Sequence, residues 1–355
     1  MVARVPSAVQ GVSNGYQGYR KVAEVDRREG LPYEAFVRDY LEPQRPVLIK
    51  NAFPQWKALG KWTPEFFRRE HGDRQVTVAG EVMTMAEYID RVLASTPERP
   101  VPYLRELCVR RFAPELGADL TPFVDYALPN WLRGNYPDGE LDHTLNRASE
   151  VELFIGGAGT LIERRRGEHA AGYGGLHGER IEGFVDLHYD PTACPVLLCQ
   201  VYGQKEFILF SPGDTPSLYA QGRHSAVPNV FDPDFGRFPL LERATPYRFV
   251  QEPGDAIYVP PFWWHATRMR TVSIAVGSTF ANAAHWPGVI EDVVGELGRS
   301  SPKKAVAMRA FLRADALVKR LAGPRFAESS HFREPLERQA LALAKRVVKK
   351  AIGRG

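Results

Sequence analysis

The segment 185–210, VDLHYDPTACPVLLCQVYGQKEFILF, carries a histidine and an aspartate two residues apart inside an apolar, strand-like run. In an extended chain residues i and i+2 share a face, so His188 and Asp190 project together while Leu187 and Tyr189 face the other way. Burying an imidazole and a carboxylate side by side is costly unless something compensates. A divalent metal would do so, and so would a plain His–Asp hydrogen bond; the pair alone does not decide. A third candidate ligand stands 75 residues past Asp190, in EPGDAIYVPPFWWHATRMR, where His265 follows two tryptophans. Two histidines and one carboxylate brought from separate strands form a facial triad. Such a set leaves coordination positions open and suits non-haem Fe(II) working with O2.

A barrel is the kind of element that could hold them. The first third of the chain mixes helical spacing (PYEAFVRDYL, TPEFFRREHG, TMAEYIDRVLAS) with short strands (RPVLIKNAF, RQVTVAG). Thr63 is placed to start the second of these helices and Gly72 to stop it. From Val151 onward strands dominate: VELFIGG, FVDLHYD, PVLLCQVY, KEFILFSP, YRFVQ, DAIYVP and TVSIAVGSTF, separated by Gly and Pro turns. After Ala284 the pattern is helical again, with a Gly-Pro break at 323–324. The expected fold is mainly β with helices, a closed or jelly-roll barrel flanked by N-terminal and C-terminal helices. The expected organisation is a flexible arm over 1–20, a catalytic domain over 21–284 and a C-terminal helical extension over 285–355. That extension is a candidate homodimer interface.

Composition narrows the function classes. The chain has 355 residues, 44% hydrophobic and 25% charged, as expected for a globular protein. No apolar run is long enough to span a bilayer, and the first twenty residues lack the apolar core of a secretory signal. Cytoplasmic residence without a membrane partner is the expectation. The three cysteines match no zinc or redox spacing and read as free thiols. From Arg299 onward 15 Lys/Arg stand against 4 Asp/Glu, although the whole chain carries only +4. That tail reads as a solvated helix face. Nucleic acid is not expected as a partner, because no RNA-binding or zinc-finger motif accompanies the barrel.

His188-x-Asp190, then Gly203-Gln204-Lys205 before EFILF, then PGDAIYVPPFWWH together resemble the JmjC/cupin-8 group of Fe(II)- and 2-oxoglutarate-dependent oxygenases, including its factor-inhibiting-HIF-like bacterial hydroxylases. The likeness extends upstream through RPVLIKNAFPQWKALGKWTPEFFRREHGDRQVTV and PYLRELCVRRFAPELGADL, and covers roughly residues 30–282. It implies a double-stranded β-helix (cupin) core and iron held by His188, Asp190 and His265. It implies 2-oxoglutarate as cosubstrate, its far carboxylate meeting Lys205. Tyr103 matches a family tyrosine that meets the same carboxylate, and Ser273 stands where the family has a serine or threonine. Arg268 and Arg270 are the fallback cations.

The chain also departs from the pattern. The segment 161–186, LIERRRGEHAAGYGGLHGERIEGFVD, intervenes before the first ligand, where the family runs straight on. It is long for a connection in a compact domain and reads either as a loop carrying substrate contacts, with Arg164 to Arg166 as anion-binding candidates, or as a solvated excursion. His177 is not expected to ligate. The family's cosubstrate threonine is Val185 and its asparagine is Leu198, so two polar contacts to 2-oxoglutarate are missing. Trp263 and Trp264 read as rim packing rather than substrate stacking. The function so implied is hydroxylation of an amino-acid side chain in a protein or peptide, with O2 and 2-oxoglutarate consumed. The alternatives are the same chemistry on a small molecule or natural product, and a non-catalytic cupin-like binding protein.

Overall fold

The computed structural model describes residues 18–128, 130–132, 151–160, 163–165, 180–190 and 193–322. Its strands are β1 (Asp26–Glu29), β2 (Val47–Lys50), β3 (Gln75–Val78), β4 (Glu81–Thr84), β5 (Leu104–Cys108), β6 (Val151–Gly156), β7 (Glu163–Arg165), β8 (Arg180–Val185), β9 (Val196–Tyr202), β10 (Lys205–Phe210), β11 (Ala220–Gln221), β12 (His224–Ser225), β13 (Tyr247–Gln251), β14 (Ala256–Val259), β15 (Trp264–Met269) and β16 (Ser273–Thr279). Seven strands form the major sheet, in the order β1-β2-β14-β9-β16-β6-β5, and β13-β10-β15 form the minor one. The cupin-type fold expected from the strand pattern is what these two sheets build.

Side-chain alternation shows how they close. Phe207 and Leu209 of β10 pack with Phe249, Leu198, Ile257 and Leu48, residues drawn from both sheets, and this cluster lies between them. Their neighbours Ile208 and Phe210 pack outward with Val185, Leu187, Trp264 and Leu241. The outer face of the major sheet is covered by the N-terminal elements, through Phe36, Tyr40, Trp56, Trp62, Phe67, Tyr88 and Ile89. Along β10 the side chains thus alternate between two environments, as a period of two requires.

Local signals behave as read. Thr63 caps the helix Pro64–Glu70 by accepting from the Phe66 amide. Thr84 and Glu87 make a reciprocal capping box at the start of the helix Met85–Leu93. That helix carries Tyr88, whose hydroxyl donates to the Ile155 carbonyl and accepts from the Leu104 amide, tying β5 to β6 beside Tyr103. The helices Trp286–Ser300 and Pro302–Ala322 pack on each other and on Trp131 and Leu132. Among the described residues no helix is long and apolar enough to cross a membrane. Residues 1–17, part of the arm expected over 1–20, and residues 323–355, with the expected Gly-Pro break, lie outside the described residues.

Two strand readings change. FVDLHYD is not one strand: β8 ends at Val185, and His188 rejoins the minor sheet through single bridges to His265 and His224. FWWHATRMR, absent from the strands expected from sequence, contains β15, with His265 inside it. Two tryptophans and a histidine mask the alternation there, because both faces of β15 are buried.

Candidate metal centre

His188 and His265 are joined through their backbones. The His188 amide donates to the His265 carbonyl (3.1 Å) and the His265 amide to the His188 carbonyl (2.7 Å). The imidazoles lie with ring centroids 4.5 Å apart. Asp190 places one carboxylate oxygen 3.7 Å from His188 Nε2 and the other 3.7 Å from His265 Nε2. One ligand atom from each of the three residues lies within 4.8 Å of the others. First-row metals sit about 2.1 Å from such nitrogens and oxygens, so the three side chains would draw closer together around an ion.

The outer nitrogens fix which atoms face that point. His188 Nδ1 lies 3.0 Å from the Asp186 carbonyl, and His265 Nδ1 lies 3.1 Å from the Trp263 carbonyl. Each Nδ1 therefore carries the proton and each Nε2 presents a lone pair, the arrangement that metal-binding histidines use. Behind His188 stands a second polar pair. His224 Nδ1 lies 2.7 Å from Asp186 Oδ1, and Asp186 Oδ2 lies 3.5 Å from His188 Nδ1.

Electrostatics distinguish the two imidazoles. Burial disfavours charge on His188, but the Asp186 and Asp190 carboxylates outweigh it and hold its pKa above the ordinary histidine value. Burial wins at His265, where His188 adds repulsion, and its pKa falls. Asp186 is held well below the carboxylate range: burial acts against this, and His188 and His224 overcome it. Arg105, on β5, adds positive charge felt by Asp186 and His188.

Lys205 opens β10 with the parity of Phe207 and Leu209, so its side chain enters the barrel. It is 2% exposed. Its ammonium donates to the Tyr103 hydroxyl at 3.1 Å and lies 5.6 and 5.7 Å from the Tyr103 and Phe154 ring centroids. Among the described residues no carboxylate reaches it, and burial lowers its pKa to about 7. A cation stationed in an apolar barrel without a counter-charge is a cradle for an anion. The fallback cations do not compete, since Arg268 turns outward to Glu206 and Arg270 is exposed.

The remaining candidates are placed as follows. Ser273 is fully buried, and its hydroxyl accepts from Gln200 Nε2 at 2.8 Å. Val185 packs outward with Ile208 and Phe210, so that position makes no opening toward the barrel; Leu198 does face inward. Trp263 donates to the Gln44 carbonyl and Trp264 to Thr215, which is rim packing as read. In the 161–186 segment β7 pairs with β8; residues 161–162 and 166–179, with Arg166, Tyr173 and His177, lie outside the described residues. Cys194 and Cys199 are buried and Cys108 is half-buried. Sequence reasoning missed Asp186, His224 and Arg105. The first shares its face with His188 by the same i, i+2 rule and was legible; the others need the tertiary fold.

A two-sheet barrel with a His-x-Asp…His set at one end and a solitary lysine along its inner face defines a non-haem, metal-dependent oxygenase type of site. The comparisons with known proteins agree. The chain belongs to the cupin-like domain family, whose model matches residues 32–284, and thereby to the JmjC group of Fe(II)/2-oxoglutarate-type oxygenases. It is 26% identical to tRNA wybutosine-synthesizing protein 5 of Homo sapiens over 298 residues, 84% of this chain and 89% of that protein. It is 27% identical to lysine-specific demethylase 8 of Danio rerio over 270 residues, 71% of this chain and 57% of that protein. It is 24% identical to Jumonji C domain-containing protein 5 of Drosophila melanogaster over 272 residues, 71% of this chain and 59% of that protein.

Proposed function

We propose that this chain is an Fe(II)- and 2-oxoglutarate-dependent dioxygenase that hydroxylates an amino-acid side chain in a protein or peptide. The observation that carries the reading is the pairing of the His188/Asp190/His265 set with a buried, uncompensated Lys205 on the same inner barrel surface. His188, Asp190 and His265 would hold the iron, which when bound supplies the activation of O2 at the expense of 2-oxoglutarate. Lys205 and Tyr103 would anchor the far carboxylate of that acid by a charge-assisted hydrogen bond. The Trp263 and Asp186 carbonyls keep both Nε2 atoms aimed at the ion. Phe207, Leu209 and Ile257 give the barrel interior an apolar lining beside the anchor. No side chain is asked to act as a general base.

The test is succinate formation and a +16 mass shift on candidate peptides. His188→Ala or Asp190→Ala should abolish both. Full turnover in either variant would remove the metal from the mechanism. A folded, iron-loaded protein that gains no weak visible absorption with 2-oxoglutarate under nitrogen would instead support a non-catalytic binding protein.

A nucleoside in tRNA is the second reading. It is favoured by coverage, since the chain spans 89% of the tRNA-modifying relative but under 60% of the two JmjC relatives. The basic stretch after Arg299 is compatible with it. Incubation with tRNA, nuclease digestion and mass analysis of the nucleosides separates the two readings; a +16 shift on a nucleoside, with peptides untouched, would replace the first by the second.

A further inference from the structure

Six residues among those described carry a buried polar side-chain atom without a hydrogen-bond partner: His71, Gln200, Gln251, Tyr258, Thr267 and His285. His71, Tyr258 and His285 belong with the aromatic packing outside the barrel, around Phe67, Phe112 and Phe280. At Gln200 and Gln251 the orphan is the carboxamide oxygen, an acceptor, while the amide nitrogen is used. Only Thr267 is left with a free donor inside the barrel. Its parity is set by register: Lys205 pairs with Met269, Phe207 with Thr267 and Leu209 with His265, so all six side chains share the inner face.

We propose that Thr267 is a binding residue for the organic acid held by Lys205, its hydroxyl donating to the acid's far carboxylate. The proposal rests on the function read above and deepens it. Thr267 stands midway along β15 between the ligand His265 and the residue opposite Lys205, about 6.6 Å from each at 3.3 Å per residue. A five-carbon diacid reaching from the metal to Lys205 must pass over it. The hydroxyl is 3% exposed at the residue level, and leaving it unpaired is unfavourable unless a ligand supplies the partner. It also answers the missing contacts. Val185 faces away from the barrel and Leu198 is apolar, so a donor on β15 takes over a role those positions do not fill.

The experiment measures binding, not turnover. Mn(II)-loaded wild type, T267V, T267S and K205M are titrated without oxygen by calorimetry with 2-oxoglutarate and with pyruvate, which lacks the far carboxylate. T267V should bind 2-oxoglutarate about tenfold more weakly, in line with a lost hydrogen bond to a charged group. Pyruvate binding should be unchanged, and T267S should restore affinity. Valine keeps the shape and removes an unpaired hydroxyl, so T267V should melt no lower than wild type without ligand. The proposal is overturned if T267V binds 2-oxoglutarate within twofold of wild type, or if it weakens both acids alike. It is also overturned if T267V melts lower and T267S fails to restore 2-oxoglutarate binding. If wild type itself binds no 2-oxoglutarate, the functional reading falls and this one with it.

Discussion

Replacing Lys205 by methionine should make the unliganded protein more stable while destroying its anion site. Lys205 is almost fully buried, with one hydroxyl as its hydrogen-bond partner among the described residues. Burial brings its pKa from 10.5 to about 7. The sign follows directly. Between pH 7 and 10.5 the unfolded chain holds a proton that the folded chain does not, so stability rises with pH across that window, and the penalty is complete below pH 7. At 1.36 kcal/mol per pH unit the ceiling of that penalty is about 5 kcal/mol. Water entry and side-chain relaxation lower it, and a gain of about 2–4 kcal/mol for K205M at pH 6.5 is the working figure. Thermal melting should show this as a rise of several degrees. At pH 9.5, where wild type sheds the proton, the gap should shrink. Adding 2-oxoglutarate with Mn(II) should raise the wild-type Tm and leave K205M unmoved. A K205M variant that melts below wild type at pH 6.5, or a gap that does not narrow in alkali, would mean that Lys205 is satisfied in the free protein and that the anion-cradle reasoning is wrong.

Two further outcomes follow from the same geometry. A bound carboxylate restores the charge on Lys205, so binding above pH 7 takes up a proton; 2-oxoglutarate affinity should hold steady below pH 7 and fall by up to tenfold per pH unit above it. A calorimetric profile that stays flat to pH 9 would contradict this. On the opposite face of β10, Glu206 lies between Arg248 and Arg268, whose guanidiniums overcome burial and keep its carboxyl below the usual range. E206Q removes the shared anion and should cost about 3 kcal/mol in denaturant unfolding; a change under 1 kcal/mol would mean that the cluster is solvated.

The candidate metal set and the buried lysine could be picked out from sequence because each sits in a short pattern whose physics is local. His188-x-Asp190 follows an i, i+2 rule that survives even though β8 stops three residues early. Lys205 opens a short strand, KEFILF, that follows a Gly-Gln turn and is buried throughout. Tyr103 was legible only through resemblance, since no local pattern aims a tyrosine at a lysine 102 residues away; the Tyr88 hydroxyl, holding β5 against β6, helps to set that aim. Thr267 was hidden for a different reason. Its role depends on which face of β15 is inside, and β15 is buried on both faces. Val185 was read from sequence as a lost polar contact to the cosubstrate; its side chain packs with Ile208 and Phe210 in the outer cluster.

The paired amide–carbonyl bonds between His188 and His265 bear on how the centre is assembled. Two of the three ligands are pinned to each other by main chain, so the gap between them is set by the sheet before any ion arrives. Unlike a zinc finger, which folds around its ion, such a cage should persist when emptied with chelator, with its circular dichroism unchanged. Which divalent ion occupies it would then depend on supply and on geometry. That makes the apoprotein a convenient host for spectroscopic substitutes such as Co(II).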